Sequence, residues 1–217
     1  SILRWSAPVP FSFVVSAQNH DQVGNRAIGD RPSRVLTDGQ LAIEAAVILT
    51  SPFTPMLFMG EEWGARTPFQ YFTDFSDAEL GDAVGSGRVA EFTSHGWDDL
   101  YGGRVDVPDP QARSTFEAST LRWAELDEPR HARMLDFHRA LIALRAEVGD
   151  IASDDRSTTS MTYDRTDPSW FVVHRGGTAV VVNLSPDAQD VPLQGAERRA
   201  VLLAWEATTP TDGAVVM

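Results

Sequence analysis

An imidazole and a carboxylate follow an apolar segment near the start of this chain. Residues 11–17 are rich in Phe and Val, and His20 and Asp21 come just after them. A short apolar run bounded by polar residues indicates a strand that is buried on both faces, as in parallel sheets covered by helices. In such sheets, ligands and catalytic groups lie at the carboxyl ends of the strands. The pair is therefore a candidate for catalysis; the alternative is a turn aspartate that caps backbone amides beside a core histidine.

The segments around this pair predict the elements that would position it. Residues 18–36 are expected to form a polar loop, and an apolar helix is expected to start at Thr37 or Asp38 and to end near residue 50. Residues 56–59 predict a second short buried strand, which again ends in carboxylates. A strand, a helix and a strand in this order form a βαβ unit with a right-handed crossover.

The rest of the chain predicts two further helices and a group of strands. Helices are expected near residues 77–92 and over residues 128–148, with Gly149 as the C-terminal stop. A domain boundary is expected at about residue 150. Beyond it, turn residues separate four apolar stretches, which predicts a small antiparallel β domain. These stretches are residues 161–163, 170–174, 178–183 and 200–205.

The composition excludes several kinds of chemistry. A formal net charge of −13 argues against a nucleic-acid or anionic-membrane partner, because such partners need basic patches. The absence of cysteine removes disulfides and thiolate nucleophiles. All 18 basic residues are arginine, so neither Schiff-base catalysis nor a phosphate-loop lysine is available. The sequence also has no apolar stretch of the ~18 residues that a membrane span needs.

Two motifs give the chain a family resemblance. The run QNHDQVGNR at residues 18–26 closely resembles the fourth signature region of the α-amylase-type glycoside hydrolases. The runs FMGEEWG at residues 58–64 and PFQYFTDF at residues 68–75 are similar to those of one subgroup, the malto-oligosyltrehalose trehalohydrolases. The resemblance covers residues 11–147 in recognisable motifs and the remainder more loosely.

The resemblance implies an α/β fold followed by an all-β part. Two barrel-type strands cannot close a (β/α)8 barrel, which takes about 250 residues. Residues 1–149 are therefore expected to be the C-terminal portion of such a barrel, its last two βα units. Residues 150–217 are expected to form a C-terminal β-sandwich-like domain that is clipped at its end. The isolated fragment is expected to self-associate, because an exposed half-barrel surface is apolar.

The resemblance also assigns roles to the pair at the strand end. Glycoside cleavage generally needs two carboxyl groups that flank the bond. By motif position, Asp21 is a third carboxylate, which stabilises the transition state, and His20 hydrogen-bonds the sugar in the cleavage subsite. The nucleophile and the general acid of the family lie on earlier strands, before residue 1. The chain alone is therefore expected to be inactive.

Five further residues are candidates for substrate binding. Trp63 and Tyr71 are expected to stack on sugar rings; the alternative is that these loop aromatics merely seal the loop onto the barrel. Gln22, Asn25 and Arg26 carry amide and guanidinium donors for sugar hydroxyls. Arg26 has an alternative role as the charge partner of Asp21, which would lower the pKa of that carboxyl.

Other titratable residues have mainly structural interpretations. Glu61 or Glu62 could pair with Asp21 as catalytic carboxylates, but the family places its acid and nucleophile elsewhere. They are expected to order the loop of Trp63 or to contact a distal sugar, and the alternative is a carboxylate satisfied by Arg66 or by backbone amides.

The remaining histidines complete the search for ligands. His131 and His138 lie seven positions apart on one predicted helix and are interpreted as structural histidines rather than metal ligands. No metal and no organic cofactor is expected.

The leading hypothesis is a retaining glycoside hydrolase of carbohydrate metabolism. The reaction implied by the resemblance is hydrolysis of the α-1,4 bond next to the terminal trehalose unit of malto-oligosyltrehalose, which releases trehalose through a glycosyl-enzyme intermediate. The expected partner is a malto-oligosaccharide or trehalose-type substrate, and the expected location is the cytoplasm. One alternative is another α-amylase-type specificity, such as a branching enzyme or an α-glucosidase. The other is a non-catalytic carbohydrate-binding or structural module.

Overall fold

A computed structural model of the chain describes residues 13–94, 101–103, 105–166, 168–193 and 200–206. Phe11 and Ser12, the start of the first predicted strand, lie outside the described residues. The predicted clipped end at residues 213–217 lies outside them as well. Among the helices that are described, none is both long and apolar enough to cross a bilayer.

The described elements of the first half of the chain are mainly helices, with two strands of two residues each. The strands are β1 (Val14–Val15), β2 (Thr54–Pro55), β3 (Thr159–Tyr163), β4 (Trp170–Arg175) and β5 (Thr178–Asn183). The α-helices are α1 (His20–Gly24), α2 (Asp38–Leu49), α3 (Ala78–Ser94), α4 (Arg113–Ala118), α5 (Pro129–Glu147) and α6 (Gly149–Ala152). Short 3-10 helices span Pro32–Arg34, Glu61–Trp63, Trp123–Asp127 and Arg156–Thr158.

These elements belong to two compact units. The first unit comprises Ser1–Ala17, Asp38–Met56 and Arg133–Met217, and the second comprises Gln18–Thr37 and Leu57–Ala132. All seven residues assigned to the candidate site by sequence lie in the second unit. The boundary expected at about residue 150 stays a prediction.

The first unit contains the predicted strand–helix–strand arrangement. β1 pairs with β2 in parallel, with Val14 opposite Thr54, and helix α2 connects the two strands. The second strand was expected at residues 56–59, and that range is wrong. The Met56 N–H still donates to the Val15 carbonyl at 2.8 Å, but the Phe58 N–H donates to the Glu61 carboxylate at 3.0 Å. The chain leaves the sheet at Phe58, because the backbone N–H of Phe58 donates to the Glu61 side chain and is not available to a strand.

A three-stranded antiparallel sheet in the order β3-β4-β5 follows in the first unit. β4 and β5 agree with the predicted strands, and Gly176 takes a left-handed φ of 57° in the tight turn between them. Val172 and Val181 lie opposite each other and are fully buried, so the face that they share forms the core of the sheet.

Two other expectations in this region are wrong. Gly149 does not end the preceding helix but begins α6. Residues 200–205 form no strand. The Trp205 carbonyl accepts from Arg133, and the Trp205 ring packs edge-on against Phe137 at 5.2 Å between centroids. Trp205 is therefore held by contacts with helix α5. The predicted helices at residues 77–92 and 128–148 are confirmed as α3 and α5.

Candidate active site

The segment after β1 forms a single helical turn, α1, rather than an extended loop. Asn19 has an extended backbone and its side chain accepts from the Gln22 N–H at 2.8 Å, so Asn19 is the N-cap of the turn. The Asn25 N–H donates to the Asp21 carbonyl at 2.9 Å and closes the other end. His20 and Asp21 are the first two residues of this turn.

His20 and Asp21 form an exposed pair on α1. The His20 Nε2 lies 3.3 Å from the Asp21 Oδ1, and both side chains are 72% exposed. The capping alternative is wrong, because Asn19 supplies the cap and His20 is not in the core. The pair is therefore free to meet a ligand from the solvent side.

The polar side chains of α1 and its C-cap are exposed, and the two residues between them are buried. Gln22 and Asn25 are exposed, whereas Val23 and Gly24 are buried. A Cβ on Gly24 would lie 3.7 Å from the ring of Phe69, which is ordinary contact. The buried side of the turn thus anchors it while the amide groups of Gln22 and Asn25 remain accessible.

Arg26 is held by Asp30, four residues further along the chain. The Arg26 Nη2 lies 2.8 Å from the Asp30 Oδ2, and the hydroxyl of Tyr101 donates to the other carboxylate oxygen. Burial raises the pKa of Asp30, but the hydrogen bonds from Arg26 and Tyr101 outweigh it and the net pKa is lowered. The bond to Asp30 likewise raises the pKa of Arg26. The structure thus gives Arg26 an ion pair with Asp30.

Trp63 lies in the interior and does not form an open sugar platform. Its side chain is 2% exposed, and its Nε1–H donates to the Glu125 carboxylate at 3.2 Å. The His131 Nδ1 lies 2.7 Å from the Trp63 carbonyl oxygen. The stacking role predicted for Trp63 is not supported by this burial, and the sealing alternative describes it better. The neighbouring indole of Trp123 is 67% exposed, and its ring centroid lies 5.2 Å from that of Trp63.

Glu61 also has a structural role. It is 5% exposed, and its carboxylate accepts from the Phe58 N–H, so the backbone-amide alternative holds for this residue. His138 is buried as well, with its Nδ1 3.0 Å from the Met134 carbonyl. In the described part of the chain, no group of three or more His, Asp, Glu or Cys side chains could hold a metal ion.

Tyr71 is a partly exposed loop aromatic. It is 38% exposed, and the guanidinium of Arg88 lies 4.7 Å from the centroid of its ring. Sequence reasoning missed Arg88, since an arginine on a helix has no recognisable partner without the fold. It also missed Asp30, for which the spacing of four from Arg26 was an available signal.

A buried arginine holds the two loops of the second unit together. Arg31 is 1% exposed, and its Nε–H donates to the Thr67 carbonyl at 2.7 Å. Its Nη1 reaches the Gln18 side chain at 3.5 Å, and its guanidinium lies 5.1 Å from the ring centroid of Phe58. Burial lowers the pKa of Arg31, and the carboxylates of Glu61 and neighbouring residues oppose that shift. The start of the QNHD segment is thereby tied to the loop after β2.

Comparison with known proteins shows what the chain is similar to. The chain is 44% identical over 214 residues to the malto-oligosyltrehalose trehalohydrolase of Rhizobium sp. (strain M-11), a match that covers 99% of this chain and 34% of the relative. It is 47% identical over 204 residues to the enzyme of that name from Brevibacterium helvolum, with 94% and 33% covered. The chain thus spans about a third of the length of the curated relatives it matches.

Two further comparisons agree with these matches. A family model described as a domain of unknown function (DUF3459) matches residues 154–216. A crystal structure from Salmonella typhimurium, named as a candidate alpha amylase, is 36% identical with a TM-score of 0.68, and the match covers 84% of this chain and 31% of that one. By sequence, the chain is therefore homologous to malto-oligosyltrehalose trehalohydrolases over about a third of their length, and it is similar to a structure named as a candidate alpha amylase.

Proposed function

We propose that this chain supplies the His20–Asp21 turn to the active site of a trehalohydrolase, which cleaves the α-1,4 bond next to the terminal trehalose unit of malto-oligosyltrehalose. One observation carries the proposal: the two side chains lie 3.3 Å apart and are largely exposed on a capped turn just after a parallel strand. The names of the relatives give the substrate class.

Asp21 would act as the transition-state stabiliser. Glycoside cleavage passes through a state with oxocarbenium character, and a nearby carboxylate stabilises its positive charge. His20, adjacent to that carboxylate, would donate to a hydroxyl of the same sugar. We assign neither the nucleophile nor the general acid to these 217 residues. The retaining mechanism and the (β/α)8 barrel, with this chain as its last two βα units, are parts of the same proposal.

The neighbouring groups would form the rest of the sugar-binding surface. Gln22 on α1 and Asn25 at its C-cap present exposed amides, and Arg26 presents a guanidinium that Asp30 holds in place. Tyr71 offers a partly exposed ring on which the apolar face of a sugar can pack. Trp63 would contribute indirectly, because its burial orders the loop that leads to Tyr71.

The proposal is tested in the complete reading frame that encodes this chain. Asp21→Asn removes the negative charge of an exposed side chain, so turnover of malto-oligosyltrehalose should fall by about a hundredfold or more while the melting temperature stays unchanged. The matched control is Asp136→Asn, at a carboxylate in an exposed ion pair with Arg139 at 3.1 Å. Near-normal turnover of Asp21→Asn would reject the assignment.

A second specificity is favoured by the similarity to the structure named as a candidate alpha amylase. A different α-amylase-type enzyme, such as a branching enzyme or an α-glucosidase, would use the same turn on another glucan. Product analysis separates the two: release of trehalose from malto-oligosyltrehalose supports the leading proposal, whereas cleavage or branching without trehalose supports the alternative.

The isolated 217-residue chain addresses the remaining alternative, a carbohydrate-binding or structural module. We propose that it binds sugar without hydrolysing it, and calorimetry with maltose and trehalose separates a binder from an inert piece. Hydrolysis by the purified chain would show that a complete carboxylate set lies within it. Self-association of the isolated chain and a cytoplasmic location remain predictions.

A further inference from the structure

Arg88 on helix α3 contacts the end of the turn that carries His20 and Asp21. Its Nη2 donates to the Gly24 carbonyl at 2.5 Å and lies 3.3 Å from the Arg26 carbonyl. Gly24 is the last residue of α1, and Arg26 follows its C-cap. A guanidinium that donates to backbone carbonyls makes a charge-assisted hydrogen bond, which is stronger than a neutral one.

The same guanidinium lies against two aromatic rings. The Arg88 Cζ is 4.7 Å from the centroid of Tyr71 and 4.9 Å from that of Phe92. Phe92 is 5% exposed and also lies on α3, whereas Tyr71 is 38% exposed. Stacking on an aromatic face restricts a guanidinium to a narrow range of orientations. Arg88 therefore joins a buried ring, an exposed ring and the end of α1.

We infer that Arg88 is a positioning residue, which holds the His20–Asp21 turn and the Tyr71 ring at a fixed separation for one sugar chain. This inference rests on the proposed function, since it assigns Asp21 to the transition state and Tyr71 to sugar binding. The side chains of Asp21 and Tyr71 do not bond each other. Arg88 links their segments, because it contacts both the Gly24 carbonyl and the Tyr71 ring. Loss of the link should weaken substrate binding, because it displaces Tyr71, and should slow turnover, because it displaces Asp21.

The kinetic test uses the complete reading frame and two variants of Arg88. Arg88→Met removes the carbonyl bonds and the cation, so it should raise KM and lower kcat, with a combined loss in kcat/KM of about tenfold to a hundredfold. Arg88→Lys can still donate to the Gly24 carbonyl but lacks a planar group to stack on Tyr71. Compared with Arg88→Met, the Arg88→Lys variant should recover more of the wild-type kcat than of the wild-type KM. A general loss of stability would not change the two constants differently.

A matched control separates this effect from the loss of any helical arginine. Arg113 on α4 is 89% exposed and pairs with Glu117 at 2.8 Å. Arg113→Met should leave KM, kcat and the melting temperature unchanged. A double variant of Arg88→Met with Tyr71→Ala should raise KM no further than Tyr71→Ala alone, because the stacking partner is already gone.

Hydrogen exchange gives a readout that does not depend on activity. In the complete protein, the amides of residues 19–30 should exchange faster in Arg88→Met than in the wild type, and those of α4 should not change. Wild-type exchange and wild-type kinetics in both Arg88 variants would overturn the inference. If Arg88→Met fails to fold, a wild-type KM and a wild-type kcat in Arg88→Lys are sufficient to overturn it. Full turnover in Asp21→Asn would instead reject the proposed function, and the exchange data would still report on Arg88.

Discussion

The Arg175 guanidinium donates to the Thr50 carbonyl at 2.8 Å and so joins two residues that are 125 positions apart in the sequence. Arg175 ends strand β4 and is fully buried, and Thr50 follows the last residue of α2. A second Nη of Arg175 donates to the Asp150 carbonyl at 3.1 Å. Carbonyls at a helix end have no partner within the helix, and a cation there also suits the helix dipole. One side chain thus connects the antiparallel sheet to the helix between β1 and β2.

Replacing Arg175 should strongly destabilise the protein. Arg175→Met removes the donor to the buried Thr50 carbonyl and to the part-buried Asp150 carbonyl, so the free energy of unfolding should fall by about 3 kcal/mol or more. Urea denaturation followed by circular dichroism measures the loss. Arg139→Met is the control, because Arg139 is exposed and pairs only at the surface with Asp136, and it should cost well under about 1 kcal/mol. Equal midpoints for the two variants would contradict the structural role of Arg175.

Two glycines should respond in opposite directions to alanine. Gly29 has a φ of +63°, and a Cβ there would lie 2.5 Å from the carbonyl carbon of Phe69, so Gly29→Ala should cost about 2 kcal/mol or more. Gly87 lies in α3 and a Cβ there meets nothing within 4 Å, so Gly87→Ala should stabilise by about 0.5–1 kcal/mol. Thermal denaturation of both variants tests the pair, and a stabilised Gly29→Ala would contradict the left-handed turn.

The Arg26–Asp30 pair should make stability depend on acid. The pKa of Asp30 is lowered below its ordinary 3.8, so its contribution is full above that value and is lost as the pH falls through the lower folded-state pKa. Asp30→Asn should cost about 2 kcal/mol at pH 7 and progressively less as the pH falls below 3.8. Urea denaturation from pH 7 to pH 3 checks this. The exposed pair offers the control, since Asp136→Asn should show a negligible difference throughout.

Tyr101 should ionise unusually late. Burial and the hydrogen bond to Asp30 raise its pKa from 10.0 to about 12. Because the folded state has the higher pKa, the contribution of Tyr101 to stability is complete below pH 10.0 and is lost as the pH rises through about 12. The absorbance of the three tyrosines near 295 nm should contain a step close to pH 12 that disappears in Tyr101→Phe. The same late step in that variant would show that another phenol causes it.

Local patterns were sufficient for the longest helices and strands. Apolar spacing predicted helices α2, α3 and α5, and runs of β-branched residues between turn residues predicted β4 and β5. Both signals are local, because a helix face and a strand face repeat over a few residues. The two wrong strands failed for a non-local reason. Residues 56–59 and 200–205 have apolar side chains, but the Phe58 N–H donates to the Glu61 carboxylate and the Trp205 carbonyl accepts from Arg133.

The sequence by itself determined which chemical groups are present and where along the chain they fall. The order of His20 and Asp21 after an apolar run, and the motifs that carry the family resemblance, can be read without coordinates. Tertiary structure decided which of these groups a ligand can reach. Trp63 and Tyr71 looked alike as loop aromatics, yet the first is 2% exposed and the second 38%.

Tertiary structure also decided which residues bond each other. Tyr101 reaches Asp30 across 71 positions, and Arg88 reaches Gly24 across 64. Residue spacing carries no information about such contacts, because they depend on how loops and helices pack once each has formed. Exposure has the same origin: it measures the neighbours that packing brings to a side chain, and residue type alone does not specify them.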